Sequence, residues 1–485
     1  MHPHSKTIPI GLNLPLFLAS LVTLFIGSFT GLIGVWIYLI WKVAVPEYIK
    51  VGHAHMAWWS VLILLAAFFL PSLSLKARAK RFIVWTSFLA PVLWQISLAA
   101  YYVSKVQRGA LDPLAFPDEF GMEYLAYGTG IFVMEVWLFF ALALVVLSGI
   151  GFHLPFFSQS NPSISKYEFI SGIKIPRLIF WFPVVFGLAG LLVGWYMTLA
   201  FKALNKPIDP AALVQFHGHL FFFVAGFFLT IMTLKAIGAP ELLFRAALWL
   251  GYIGIPAIFI GYILFIRMEY HSLVYVLPAS LYFLMMILGL LGLIAFCGLE
   301  KKEDSFHYIR GCMIFSWSIL LVLVSLGAVI ALVWDTHPNL TVTYEQPPGE
   351  PYPGPYPAEY LGTKDVGMTP RGLENAHLSP GSWFHVAIFW LLTLLIFGEE
   401  IFRKLGKRNL LFLMATTIPL APFFNTVGRF AAWLEIPNGI GALYFAGHPM
   451  KMFNMISLIA VTCALLVILK KSETAENYST LPKEK

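Results

Sequence analysis

The stretch VGHAHMAWWSVLILLAAFFLP, residues 51–71, places His53 and His55 at the head of a run otherwise apolar enough to cross a bilayer. A spanning helix needs about 20 consecutive apolar residues. Comparable runs recur near 13–41, 53–71, 82–104, 124–150, 177–201, 213–235, 245–266, 272–298, 310–334, 382–398, 409–430 and 447–469, which makes about twelve helices. Of 485 residues, 59% are hydrophobic and only 12% charged, and the mean hydropathy is +0.78, which excludes a soluble globular protein. Unpaired backbone groups are costly in hydrocarbon, and the strands of a β-barrel would be shorter and would alternate. The expected class is therefore all-α, a polytopic integral membrane protein. The first run is too long for a signal-peptide core and lacks a clear cleavage site, so it reads as a retained helix.

The net charge of +7 is topological, not a nucleic-acid footprint. Lys76, Arg78, Lys80 and Arg81 follow helix 2, Lys166 and Lys174 follow helix 4, Lys301 and Lys302 follow helix 8, and Arg403, Lys404, Lys407 and Arg408 follow helix 10. The opposite loops carry Asp112, Asp118, Glu119, Glu345, Glu350 and Glu359. The positive-inside rule then puts both termini in the cytoplasm, with the chain in a prokaryotic inner membrane. Cys297, Cys312 and Cys463 are isolated, with no CxxC knuckle and no CxxCH haem-attachment site, so any haem would be held non-covalently.

The opening pattern is reused. GLIGVWIYL precedes the first histidine run, and GLLVGWYMTLA precedes VQFHGHLFFFVAGFFLTIM, which carries His217 and His219. From His55 to His219 is 164 positions, and from His219 to His385, in GSWFHVAIFWLLTLLIF, is 166. We read three four-helix units, over 1–165, 166–308 and 309–472, each with a histidine at the outer start of its second helix. The 335–381 stretch of the third unit contains YEQPPGEPYPGPYPAEYLG, too rich in Pro and Gly for regular structure, and is expected as an extended outer loop. The polar end, 473–485, is expected as a mobile cytoplasmic tail.

Ionisable residues inside a membrane are costly and mark function by default. Neutral imidazole is a common metal ligand, and a haem iron takes one from each of two facing helices. Residues two apart on a helix point about 200° apart, so His53 and His55 cannot both face one iron. Trp383 stands where His53 and His217 stand in the other units, which leaves His55, His219 and His385 as the shared set. Further outer-side imidazoles are His377, His271 in EYHSLVYV and His448 in AGHPMKMF, which with His53 and His217 form a candidate metal cluster. Glu135, Lys451 and Asn454 are polar groups inside spans, read as packing contacts or a proton relay.

Twelve helices in three arcs, with histidines at the outer ends of helices 2, 6 and 10, resemble the heme-copper oxidase superfamily: terminal oxidase subunit I, the nitric oxide reductase large subunit and the related NnrS family. The resemblance implies a low-spin haem b on His55 and His385, a second metal on His219, and Arg429 in NTVGRFAAW on a haem propionate. It leaves the second site as another haem, copper or non-haem iron. The expected donor is a cytochrome c or a quinol, with small membrane subunits as partners. The chain departs from the family at RAALWLGYIGIPAIFIGYILF in helix 7, which has no histidine, and at Trp383, where the family has a high-spin haem ligand. The usual binuclear centre cannot be assembled. The expected function is electron transfer, with dioxygen or nitric oxide reduction at an altered site. The alternatives are a non-catalytic nitric-oxide response protein and, behind both, a transporter.

Overall fold

The computed structural model describes residues 12–41, 47–107, 122–158, 168–170, 173–197, 210–268, 273–296, 304–336, 370–433 and 439–479. Twelve helices among them are long and apolar enough to span a membrane. In chain order they are α1 (Leu14–Trp41), α2 (Glu47–Phe69), α3 (Ala77–Gln107), α4 (Met122–Ile150), α5 (Leu188–Met197), α6 (Pro210–Ala236), α7 (Glu241–Met268), α8 (Leu273–Ala295), α9 (Asp304–Thr336), α10 (Pro370–Thr393), α11 (Arg408–Trp433) and α12 (Gly439–Ser479). The α5 span is completed by a 3₁₀ turn, Arg177–Phe180, and a π turn, Pro183–Gly187; α10 runs on through a π turn, Leu394–Gly398. The other regular structure described is a 3₁₀ turn, Leu70–Ser72, a short helix, Glu399–Lys404, and a small antiparallel ribbon of β1 (Glu168–Ile170) and β2 (Ile173–Lys174). The chain is an all-α polytopic membrane protein, and an even number of spans returns the described chain to the side it started from.

Three helices form the centre. In α2, α6 and α10, 72%, 78% and 83% of the spanning window is buried inside the protein, against 22–50% for the other spans. These three touch one another, and α1 closes against α12. The helices that carry histidines at their heads are therefore the inner ones, as an ionisable residue in a bilayer requires. Outer helices turn Trp85, Ile96, Val136, Phe140, Leu188, Leu192 and Trp249 outward, a face suited to acyl chains.

Sharp turns on the face opposite the histidines keep neighbouring helices antiparallel. Gly238 (φ +71°) and Gly406 (φ +62°) take the left-handed conformation a side chain resists. Beyond them, Ala239 donates its N–H to the Leu234 carbonyl and Lys407 to that of Phe402, the six-residue closure of a Schellman cap.

Two boundaries differ from the sequence reading. α10 begins at Pro370, inside the stretch expected as outer loop, because Pro suits a first helical position and the following residues continue the helix. α12 continues to Ser479, so part of the expected tail is helical.

Candidate functional site

The inner helices bring their imidazoles to one end of the bundle, and neighbouring backbone fixes how two of them present. His53 Nδ1 lies 2.8 Å from the Gly27 carbonyl of α1, and His217 Nδ1 lies 2.7 Å from the Gly190 carbonyl of α5. A carbonyl oxygen only accepts, so each Nδ1 carries the proton and donates it, leaving the lone pair on Nε2. On α10 the acceptor is in the same helix: His385 Nδ1 is 2.9 Å from the Gly381 carbonyl one turn earlier. An imidazole pinned through one nitrogen to a carbonyl is the outer-shell arrangement typical of metal-ligating histidine.

Glycine makes this approach possible. A Cβ on Gly31 would come within 2.6 Å of His53 Nδ1, and one on Gly194 within 2.9 Å of His217 Cε1. Each lies one helical turn after the glycine whose carbonyl accepts the bond. Gly194→Ala is expected to cost about 1–3 kcal/mol by overpacking. In thermal unfolding, the double variant with His217→Ala should lose less than the sum of the singles, because the methyl then has room.

His53 and His55 face opposite ways, as their spacing requires. The His53 ring meets Trp383 of α10, with centres 6.0 Å apart. His55 stacks on Trp94 of α3 at 5.2 Å and meets His217 of α6 at 6.1 Å. Two imidazoles bound through nitrogen at about 2.0 Å on opposite sides of one ion have ring centres roughly 6.3 Å apart, and about 5 Å at a tetrahedral angle, so the His55–His217 spacing matches only the opposed arrangement. His219 instead packs against Phe223 at 5.6 Å and Tyr262 of α7 at 5.7 Å.

His385 is fully buried. Its ring lies 4.0 Å from that of Phe222 and 6.5 Å from that of Trp58, and its Nε2 is 3.3 Å from where a Cβ on Gly226 would stand. The expected haem pair thus sits in two adjoining aromatic clusters, His55 beside Trp94 and His217, His385 beside Trp58 and Phe222. Among the described residues no group of three or more His, Cys, Asp or Glu is placed to hold a metal ion.

The remaining expected residues divide. His448 is half-buried on α12. His271, and the side chains of His377 and Arg429, lie outside the described residues. Lys451, 4% exposed, sets its Nζ 3.8 Å over the Trp383 ring, a desolvated cation–π contact beside His53.

Glu135 is where sequence reasoning missed the partners. Trp94 Nε1 donates to one carboxylate oxygen at 3.0 Å and Trp195 Nε1 to the other at 3.2 Å. Trp94 also stacks on His55, so the carboxylate is joined through one indole to the imidazole cluster. Indole can only donate, and a tryptophan on each neighbouring span is the signal that could have pointed to this. Glu135→Gln turns an amide N–H toward one indole N–H, and is expected to cost about 1–3 kcal/mol. Thermal unfolding should show part of that recovered in Glu135→Gln with Trp195→Phe.

No family model and no curated protein matches the chain.

Proposed function

We propose that the chain is a membrane-embedded redox protein of heme-copper oxidase type, with haem b iron held by His385 and an α2 imidazole. The supporting observation is that central helices α2, α6 and α10 each present an imidazole whose Nδ1 is committed to a carbonyl, leaving Nε2 as the ligand atom. The donor set fits the group: neutral imidazoles with a fixed tautomer and aromatic walls from Trp58, Phe222 and Trp383. A bound haem would supply a one-electron carrier and, with an open axial position, a place for a diatomic gas. The protein's own residues orient the ligands through Gly27, Gly190 and Gly381, and exclude water with a fully buried His385. Because His53 and His55 face opposite sides, one can serve the haem while His55 and His217 hold a second metal.

A second reading, a non-catalytic protein that binds or senses nitric oxide in the manner of NnrS, is favoured by what surrounds His219. Its α7 neighbour is Tyr262, where a standard reductase would offer imidazoles. In either reading the histidine face is the outer one and both termini are cytoplasmic; in the redox reading the electron donor is a cytochrome c or a quinol.

The test is an oxidised and dithionite-reduced absorption spectrum of the purified protein, with a pyridine haemochrome assay and metal analysis on the same sample. A sharp reduced α-band with near-stoichiometric haem b is expected. A carbon monoxide shift separates an open haem from a closed one. Absence of both haem and transition metal from a folded preparation reconstituted with each would overturn the redox reading.

A further inference from the structure

A cavity of about 420 Å³ lies between α2, α4, α5 and α6, and its walls are almost wholly apolar; one end reaches Phe221 beside His217 and Trp195 on Glu135, and the other runs away from the histidines. Along α4 it runs from Val136 to Leu147, which at 1.5 Å per residue is about 16 Å of the bilayer normal. The α5 wall is the π turn with Pro183, Val184 and Gly187, followed by Leu188 and Leu191. Its α4 and α5 walls belong to spans only 22% and 33% buried inside the protein, on the side that faces the bilayer.

At the end away from the histidines, both walls continue one turn and meet at a cation. Phe180 lines the groove, and Arg177 stands three residues earlier in the same 3₁₀ turn, where positions three apart eclipse. Leu147 lines the facing wall, and Gly151 one turn later would place a Cβ 2.6 Å from an Arg177 terminal nitrogen. The guanidinium therefore lies one turn beyond the groove's lining, spanning from the 3₁₀ turn to the end of α4. Arg177 Nε is buried and has no hydrogen-bond partner among the described residues, an expensive state for a charged donor.

The depth of this point is marked by aromatic side chains. Phe152, 50% exposed, and Trp181, 40% exposed, pair with ring centres 6.1 Å apart beside Arg177, as aromatic residues do at the headgroup level. Lys76 and Arg78 bind the carbonyls of Pro155 and Phe156 in the adjoining segment, so the surrounding surface is basic. A slot for a chain within the hydrocarbon, with a guanidinium at headgroup depth whose Nε lacks a hydrogen-bond partner among the described residues, matches one kind of membrane component at both ends.

We propose that this groove binds an anionic phospholipid, one acyl chain lying along α4 and α5 and the phosphate accepting hydrogen bonds from Arg177. Guanidinium recognises phosphate by charge-assisted, paired hydrogen bonds. A zwitterionic lipid gains less from the basic surround. A neutral isoprenoid would fill the apolar slot and leave Arg177 Nε unsatisfied.

The test uses the full-length protein purified in mild detergent, with its bound lipid identified by native mass spectrometry, then delipidated and re-exposed to vesicles of phosphatidylglycerol or of phosphatidylcholine. Retention and rebinding of the anionic lipid are expected, with Arg177→Gln lowering its occupancy about 10-fold, the loss of one charge-assisted contact. Gly187→Leu is the independent variant. A Cβ there meets nothing within 4 Å, so the side chain can enter the groove without a clash, and it should exclude the acyl chain while Arg177 remains. Unchanged anionic-lipid binding in a folded Gly187→Leu protein, equal rebinding of phosphatidylcholine, or a neutral quinone as the retained molecule would each overturn the proposal. Haem content is a separate readout on the same samples.

Discussion

His385→Ala is expected to remove the reduced α-band of the purified protein, while His307→Ala leaves it unchanged. His385 is 0% exposed, in the most buried of the three central helices, with Nδ1 on the Gly381 carbonyl and the Phe222 ring at 4.0 Å. Truncation removes the proposed iron ligand and leaves a hole beside Phe222. His307 is an exposed histidine near the start of α9, at the end of the bundle away from the cluster, and serves as the matched control. The cavity alone would cost a few kcal/mol, so a collapsed preparation would also lose colour. His385→Gln keeps most of the volume and separates the two effects. A folded His385→Gln protein with a full α-band would show that His385 is not a ligand.

Loss of the band in His53→Ala but not His55→Ala, or the reverse, would identify the α2 ligand. The two rings face different neighbours, Trp383 for His53 and Trp94 with His217 for His55, so neither variant should mimic the other.

Length and apolarity alone located the twelve spans, because the bilayer imposes both. The recurrence of a histidine after 164 and 166 positions singled out helices 2, 6 and 10, and these are the three most buried spans. What escaped the sequence was the register of the repeat. Matching GLIGVW with GLLVGW pairs Gly31 with Gly190. The structure instead pairs Gly27 with Gly190 as carbonyls that accept from imidazole, and Gly31 with Gly194 as the sites packed against the rings. The string match is off by one helical turn. Local similarity follows which residues are small or bulky, whereas the functional register follows which backbone carbonyl reaches across to the next helix. Glu135 was legible as an unusual residue, but its holders Trp94 and Trp195 come from α3 and from the α5 span, and only the packing of those helices on α4 brings them together.

The gravest single-methyl change expected is Gly261→Ala, next to Tyr262, the α7 neighbour of His219. A Cβ on Gly261 would penetrate the Val274 carbonyl of α8 and stand 2.8 Å from Tyr275 Cα. Both obstacles are backbone, so no side-chain rotation relieves the clash, and the α7–α8 hairpin must open. Gly254, two turns earlier, faces the same neighbour, 3.2 Å from the Tyr282 backbone nitrogen. Small residues at such spacing let membrane helices pack backbone to backbone, which is where their association energy comes from. A loss of about 3 kcal/mol or more is expected for Gly261→Ala, read as a lower unfolding temperature in detergent and poor yield of folded protein. The change should also reach the site. Tyr282 of α8 is fully buried, and its hydroxyl occupies the space a Cβ on Gly226 would need, next to His385 Nε2. Moving α8 outward withdraws Tyr282 from that contact, so surviving Gly261→Ala protein should show a shifted α-band with haem content retained. Wild-type stability in Gly261→Ala would mean that α7 and α8 do not approach this closely, and would remove the support for Tyr282 as a wall of the His385 pocket.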